Sequence, residues 1–289
     1  MTRTAVVLAW LGAVLLSLTG SGCVVSRGVM PLGEVSSKAA TEARSFSLVT
    51  WNVHKAKDEA FVQEVTGLLT GLPRDESVIL CLQEVRSSTY QLIKESYAGQ
   101  VSGHYTPSWR YPFSKSSTGV LSIANAGLLD ARAQQMLAPG RELGFISPKV
   151  SLQSGLLLGG RKRVHLINAH GLNFVSKAVF VQQLQQIFAP LHSDQLPAMV
   201  AGDFNVWSEG RLRLLREKAK QAGLVEVVNR DPGKTPAPAW MGRLKGVGGY
   251  DPDLHLDRIF TRGLEVLDCY SIKKSQSSDH LPVVMRFKL

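Results

Sequence analysis

A run of apolar residues long enough for a buried strand, closed by a carboxylate, an amide or an imidazole, recurs through this chain. "SLVTWN" ends on Asn52, "VILCLQE" on Gln83 and Glu84, "VHLINAH" on His170, and "AMVAGDFN" on Asp203 and Asn205. Asp257 sits inside "LHLDRIF", and Asp279 and His280 open "SDHLPVVM". Helical patterns lie between these runs. "DEAFVQEVTGLLT" repeats Phe61, Val65, Leu68 and Leu69 at helix spacing, and "STYQLIKESYA", "SKAVFVQQLQQIFAPLH" and the basic "SEGRLRLLREKAKQAG" read likewise. "KVSLQSGLLL" and "RVHLINAH" flank "GGRK", a Gly-rich hairpin signal. Strand–helix units interleaved with hairpins, without repeats or an internal linker, predict one α/β domain built on two mixed sheets packed together. Ligand sites in α/β sheets gather where loops leave the carboxyl ends of the strands. A single acid at a strand end is an ordinary turn or cap residue; its recurrence is what predicts a site.

The candidate set holds acids, amides and two histidines but no cysteine. Such ligands suit a hard cation and phosphate oxygens better than zinc or a thiol nucleophile. Cys81 and Cys269 lie inside apolar runs and read as small core residues, and the three cysteines have neither metal-site nor disulfide-framework spacing. In "AGDFNVW", Asp203 can accept from a water or approach a cation, while Asn205 can donate to an oxygen gaining negative charge. The net charge of +10 favours phosphate-rich partners such as nucleic acid, anionic lipid or a phosphorylated small molecule, and it also serves plain solubility. His54, His165, His192 and His255 read as structural histidines.

The first residues follow another pattern. Arg3 precedes a mostly apolar run from Ala5 to Leu18, small residues follow up to Cys23, and no acid occurs before Glu34. This is the layout of a secretory signal peptide, and the run is shorter than the ~20 residues of a spanning helix. "LTGSGC" resembles a bacterial lipobox, with Gly20 where leucine is usual. Residues 1–22 therefore read as a signal peptide, Cys23 as the lipidation site, 23–44 as a tether and 45–289 as the catalytic domain. An uncleaved anchor and simple secretion stay open. Export and attachment to the bacterial cell envelope through a lipid anchor are expected.

In their order, "TWNVHK", "LQEV", "NAHGLNF", "AGDFNVW", "LDRIF" and "SDHLPV" resemble the endonuclease/exonuclease/phosphatase superfamily. That group includes DNase I, the exonuclease III-type repair nucleases, neutral sphingomyelinases and inositol polyphosphate 5-phosphatases. The local details look closest to the bacterial YafD-like subgroup. The resemblance covers Ser45 to Leu289 and implies a four-layer α/β sandwich. It also implies Mg²⁺- or Mn²⁺-dependent phosphoester hydrolysis by in-line attack of an activated water. By the same resemblance, Asn52, Glu84 and Asp279 belong to the metal site, with Glu84 the main ligand. Asp203 and Asn205 position the water and the phosphate, Asp257 orients His280, and His170 lies on the phosphate. His280 and Asp203 are both candidates for taking the proton. Two departures stand out. His54 occupies the place where the repair nucleases carry an acid, which weakens any second metal beside Asn52. The contiguous 5-phosphatase signature is broken, since Asp257 comes well after Trp240.

Cations fall beside these motifs: Arg211, Arg213 and Arg216 in the basic helix, and Arg243 and Lys245 in a Pro/Gly-rich loop with Trp240 and Tyr250. Trp240, Arg243 and Lys245 are the candidate substrate-binding residues; the plainer alternative is a solvated loop. A monomeric nuclease is expected. The alternatives are a phospholipid or sphingolipid phosphodiesterase of the phospholipase C type, a phosphomonoesterase, and, weakest, a non-catalytic phosphate-binding protein.

Overall fold

The computed structural model describes residues 24–25, 27–33, 45–54, 59–71, 76–110, 116–125, 128–129, 133–144, 147–159, 162–232, 254–273, 275 and 277–289. One sheet contains β1 (Val24–Val25), β2 (Met30–Gly33), β3 (Ser45–Asn52), β4 (Glu76–Arg86), β5 (Ser102–Arg110), β6 (Ser117–Ala124), β14 (Glu265–Ser271) and β15 (Val283–Lys288). Its order is β1-β5-β6-β4-β3-β15-β14, with β2 also on β5. The other contains β7 (Leu128–Leu129), β8 (Gln134–Arg141), β9 (Pro148–Leu158), β10 (Lys162–His170), β11 (Ala198–Asp203), β12 (Val225–Glu226) and β13 (Asp257–Arg262). Its order is β12-β13-β11-β10-β9-β7, with β8 on β9. β3/β4 and β10/β11 pair in parallel; the other described pairs are antiparallel.

Three apolar clusters stack the molecule into the expected four layers. Helices α1 (Glu59–Gly71) and α2 (Ser87–Ser96) cover the first sheet through Phe61, Val65, Tyr90 and Ile93, which pack on Val49, Trp51, Leu80 and Leu82. Helices α3 (Lys177–Phe188) and α4 (Glu209–Gln221) cover the second through Phe180, Leu184, Leu215 and Ala219, against Ile167, Val200 and Phe260. Ser176 and Ser208 cap these two helices, accepting from Val179 N and Arg211 N. Between the sheets lie Phe46, Leu48, Ile79, Leu166, Met199, Ile259, Met285 and Phe287, joined by Cys81 and Cys269. Burial pushes both thiols up to about 12, as fits core cysteines.

The inner faces explain where a site can form. Side chains alternate across a strand, so the face carrying Phe46 and Leu48 continues to Thr50 and Asn52. The face of Leu166 continues to Asn168 and His170, and that of Met199 and Ala201 to Asp203. The inter-sheet layer is thus apolar at one end and polar at the other. A buried amide pair marks the change: Gln83 Nε2 donates to Asn168 Oδ1 at 2.8 Å, and Asn168 Nδ2 donates to Leu82 O and Leu121 O. Gly202 permits the close pairing of β10 and β11, since at φ +155° a Cβ there would lie 1.9 Å from Ala169 O.

Sequence reading and structure differ at three places. β5 ("SGHYTPSWR") and β8 ("QQMLAPGR") carry little apolar alternation, and each holds a proline near a register shift, where a missing N–H is tolerated. "ELGFIS", an apolar run by composition, begins as a 3₁₀ turn at Glu142–Gly144. Part of the stretch read as a tether joins the sheet edge. Leu32 is buried, Tyr90 OH donates to Pro31 O at 2.8 Å, and Thr106 Oγ1 donates to Gly28 O at 3.0 Å. The signal peptide and Cys23 lie outside the described residues.

Replacing Asn168 with leucine takes the side-chain donor from the Leu82 and Leu121 carbonyls and one acceptor from Gln83 Nε2, which keeps Thr50 Oγ1 and Cys81 O. Asn168→Leu should lower the urea-unfolding free energy by roughly 2–4 kcal/mol; a loss below about 1 kcal/mol would show that the pair does not bind the sheets together.

Candidate active site

The polar end of the inter-sheet layer opens as a pocket of about 190 Å³ lined by Asn52, Glu84, Asp203, Asn205, Asp279 and His280, and also by His54, Glu142, Lys149 and Asn173. Of the sequence-predicted residues with described positions, His170 and Asp257 lie just behind this lining. Trp240, Arg243 and Lys245 lie outside the described residues. A larger cavity of about 350 Å³, around Gln153–Leu157 and Arg163–His165, contains none of these groups.

Asp203 ends β11 and is held on both oxygens. Asn52 Nδ2 donates to Oδ2 at 2.9 Å, bridging the two sheets, and Asn205 N donates to Oδ1 at 2.9 Å. Asn205 takes a left-handed backbone at φ +51°, which asparagine tolerates better than most residues. Its Nδ2 donates to Gly171 O, and Trp207 Nε1 donates to its Oδ1. The arrangement fixes the Asp203 carboxylate and the Asn205 amide side by side in the lining of one pocket.

His280 rests on Asp257, with Nδ1 and Oδ2 2.6 Å apart. Trp51 Nε1 donates to His280 O at 3.0 Å, Ser278 Oγ to Asn52 O at 2.6 Å, and His280 N to Ser278 Oγ at 3.1 Å. The loop before β15 is thereby pinned to the end of β3. Burial opposes a charged imidazole, but Asp257, then Asp203 and Asp279, outweigh it and push the His280 pKa up to about 10. Burial pushes Asp203 up to about 6, with Asp257 adding to the rise and His280, Asn52 and Asn205 N opposing it.

Glu84 enters by a backbone irregularity. β4 shifts register against β6 between Leu82 and Val85, and Glu84 has φ +57°. Strict alternation would turn Glu84 away from the inner face that carries Gln83; the bulge sends both toward the site. Glu84 Oε1 lies 3.2 Å from Lys149 Nζ and 3.7 Å from His170 Nε2, which is 3.9 Å from Asp203 Oδ2. Lys149 also faces Glu142 at 3.6 Å. Burial works against its charge, but Glu84, Glu142 and Asp203 outweigh that and raise its pKa. Lys149 is the site's own fixed cation and was not anticipated; a lysine opening the apolar "VSL" run of β9 is the signal that could have found it. Glu142 and Asn173 were also missed, although Asn173 lies in the quoted "NAHGLNF".

The donor chemistry fits a divalent cation. Carboxylate oxygens of Glu84 and Asp279 and the Asn52 amide line one pocket with an excess of acids. Among the described residues no three of His, Cys, Asp and Glu form a preformed cage. Mg²⁺ needs none, since it keeps several waters and takes one or two carboxylates. Asn52 Oδ1 accepts from His54 N, Asp279 is paired with His54 Nδ1 at 2.6 Å, and Glu84 Oε1 accepts from Lys149 Nζ at 3.2 Å, so each of the three residues expected at a metal already has a partner in the protein.

Of the basic-helix cations that fall beside the catalytic motifs in sequence, two are engaged within the protein. Arg211 donates to Leu172 O, Asn205 O and Val175 O and lies over the Phe180 ring, so it braces the loop after β10. Arg216 pairs with Glu226. Arg213 is exposed.

Acids, amides and imidazoles at the open edge of a two-sheet α/β sandwich define the class of hydrolases acting on phosphoric esters. The chain belongs to the Endonuclease/Exonuclease/phosphatase family, whose model matches residues 49–280. A UPF0294 protein of Vibrio vulnificus is 30% identical over 258 residues, 89% of this chain and 82% of the relative. A UPF0294 protein of Yersinia pestis is 28% identical over 260 residues, 90% and 88% of the two chains. The fold is shared with an endonuclease/exonuclease/phosphatase of Beutenbergia cavernae, at TM-score 0.60 and 19% identity over 85% of this chain and 72% of that one. D. rerio TDP2 complexed with single strand DNA product shares it at TM-score 0.57 and 16% identity, over 85% and 99%.

His280 has a folded-state pKa above its unfolded value. The stabilisation from its pair with Asp257 is complete below about pH 6.5 and is lost as pH rises through about 10. The stability gap between the wild type and Asp257→Asn, measured by urea unfolding, should be widest near pH 6 and close toward pH ~10. A gap that widens with pH would contradict the ion pair.

Proposed function

We propose that the protein is a divalent-metal-dependent phosphodiester hydrolase in which Asp203 takes the proton from the attacking water. One observation carries this reading: at the catalytic edge the buried Asp203 carboxylate, held by Asn52 across the two sheets at 2.9 Å, shares a pocket with Glu84, Asn205, Asp279 and a His280 held on Asp257 at 2.6 Å, with burial raising the pKa of Asp203 and the neighbouring acids, against burial, raising that of His280. Near neutral pH the ionised Asp203 can accept a proton, whereas His280 already carries one. That supports Asp203 as the base, with His280, held by Asp257, supplying positive charge and a donor to the phosphoryl oxygens. Asn205 and His170 add donors on either side. Lys149 contributes a second fixed positive charge beside Glu84. A cation on Glu84, Mg²⁺ or Mn²⁺, would neutralise a non-bridging oxygen.

The net charge of +10 and the single strand DNA product held by D. rerio TDP2 support a nuclease reading. Arg211 and Arg216 are engaged within the protein, so neither adds to that charge at the site. Both phosphodiester classes, nucleic acid and lipid, use the same reacting group.

Glu84→Gln, Asp203→Asn and Lys149→Met should each lower kcat/KM for bis(p-nitrophenyl) phosphate by at least ~100-fold, ~100-fold and ~10-fold respectively, with circular dichroism unchanged. Chelation by EDTA should abolish the wild-type rate, and Mg²⁺ or Mn²⁺ should restore it. A variant that stays folded and keeps most of the activity removes its residue from this mechanism.

A further inference from the structure

A second cavity, of about 350 Å³, lies at the far end of the second sheet from the catalytic edge. β10 connects the two: His165 lines the cavity, and His170, farther along the strand and roughly 17 Å away, stands beside Glu84 and Asp203. The cavity forms where the helix layer stops. On the outer face of β10, Ala169 and Ile167 belong to the apolar cluster under α3 and α4, whereas the next residues of that face, His165 and Arg163, line the cavity. Their partners across β9 are Gly155 and Leu157, and the row continues through Gln153 to Gln134 of β8. Gly155 leaves the middle of this face as bare backbone, a feature that lets a ligand approach closely. The volume falls within the ~300–1,000 Å³ of small-molecule sites.

One wall is held in place by Arg262, at the end of β13. Its guanidinium donates to Leu196 O, Leu191 O, Ala222 O and Asp194 O at 2.9–3.2 Å, and Leu196 N donates to Asp194 Oδ1 at 3.0 Å. The loop fixed in this way brings the Asp194 carboxylate against His165, whose Nε2 lies 2.9 Å and 3.1 Å from the two oxygens. Arg262 also faces that carboxylate at 3.6 Å and counters its charge. The His165 side chain is only 16% exposed, so its ring is held in one orientation. With Nε2 engaged by the carboxylate, Nδ1 of the neutral ring is left as an acceptor.

The remaining groups are unmatched. Among the described residues no acid lines the cavity, Arg163 has no ion-pair partner, and the Gln134 and Gln153 amides have no hydrogen-bond partner. We propose that this cavity binds a planar organic anion: a ring lying on the Gly155 backbone against Leu157 and Leu196, a carboxylate on Arg163, and a hydroxyl or N–H at the opposite end of the ring donating to His165. The planar guanidinium matches a carboxylate in two parallel bonds. Arg163 and His165 are alternate residues of one strand, ~7 Å apart, a span that a single aromatic ring with its two substituents bridges. Nothing in this site depends on the reaction at the catalytic edge.

An NMR titration of the full chain with para-hydroxybenzoate tests the site. The wild type should bind it saturably with a Kd of ~1 mM or tighter, and benzoate, which lacks the donor, should bind at least ~3-fold more weakly. Arg163→Gln should weaken binding of para-hydroxybenzoate at least ~10-fold. Gly155→Leu should abolish binding by filling the floor; if that variant fails to fold, Arg163→Gln decides. Lys162→Gln removes an equal charge from the next residue, on the opposite face of the strand, and should change the Kd less than ~2-fold. No saturable binding up to ~10 mM, or a folded Arg163→Gln that binds as the wild type does, would overturn the proposal. So would equal losses in Lys162→Gln and Arg163→Gln, which would show attraction to bulk charge only. Equal affinity for the two benzoates would overturn the contact with His165.

Discussion

The hydrogen bond from Asn52 to Asp203, 2.9 Å across the gap between the two sheets, is the constraint on which the site depends. Each residue ends a strand of a different sheet, so the bond holds only if both sheets keep their register. That register is set at the apolar end by Phe46, Met199 and their neighbours, and midway by the Gln83–Asn168 amide pair. A one-residue slip of either strand would send its polar end to the opposite face. Packing energy in the core is thereby converted into positional accuracy at the edge, where the reacting groups must be held to within about half an ångström.

The same frame sets the electrostatics. Asp203 and His280 are both buried beside Asp257, and burial opposes the charge on each of the two. Placing them together reverses the outcome for His280 and leaves Asp203 near neutrality. Lys149 plays the corresponding part on the other side, countering Glu84 and Glu142 in a pocket otherwise dominated by acids. On the proposed function, a phosphodiester would carry negative charge into this acid-rich space. His280 and Lys149 are the protein's own groups that could receive it, and a divalent cation would add to them.

Much of this was legible in the sequence, because the strands that matter carry their polar residue at the end of an apolar run. Asn52, His170 and Asp203 follow from simple alternation. Glu84 does not: it faces the site through a bulge in β4, which no period-two reading contains. The ends of β5 and β8 were hidden by Pro107 and Pro139, and Lys149 by its place at the start of an apolar strand, where a lysine reads as a solvated edge. The basic helix was misleading for the opposite reason. Its cations fall beside the catalytic motifs in sequence, but helical phase turns Arg211 inward to three carbonyls, and Glu226 engages Arg216.

The central claim is that Asp203 directs a water molecule straight at phosphorus, without a covalent intermediate on the protein. The stereochemical course tests this most directly. A phosphorothioate diester of known configuration, hydrolysed in ¹⁸O-labelled water with Mg²⁺ and analysed by ³¹P NMR, should give a product inverted at phosphorus. Retention would mean two displacements through a protein-bound phosphoryl group and would contradict the account.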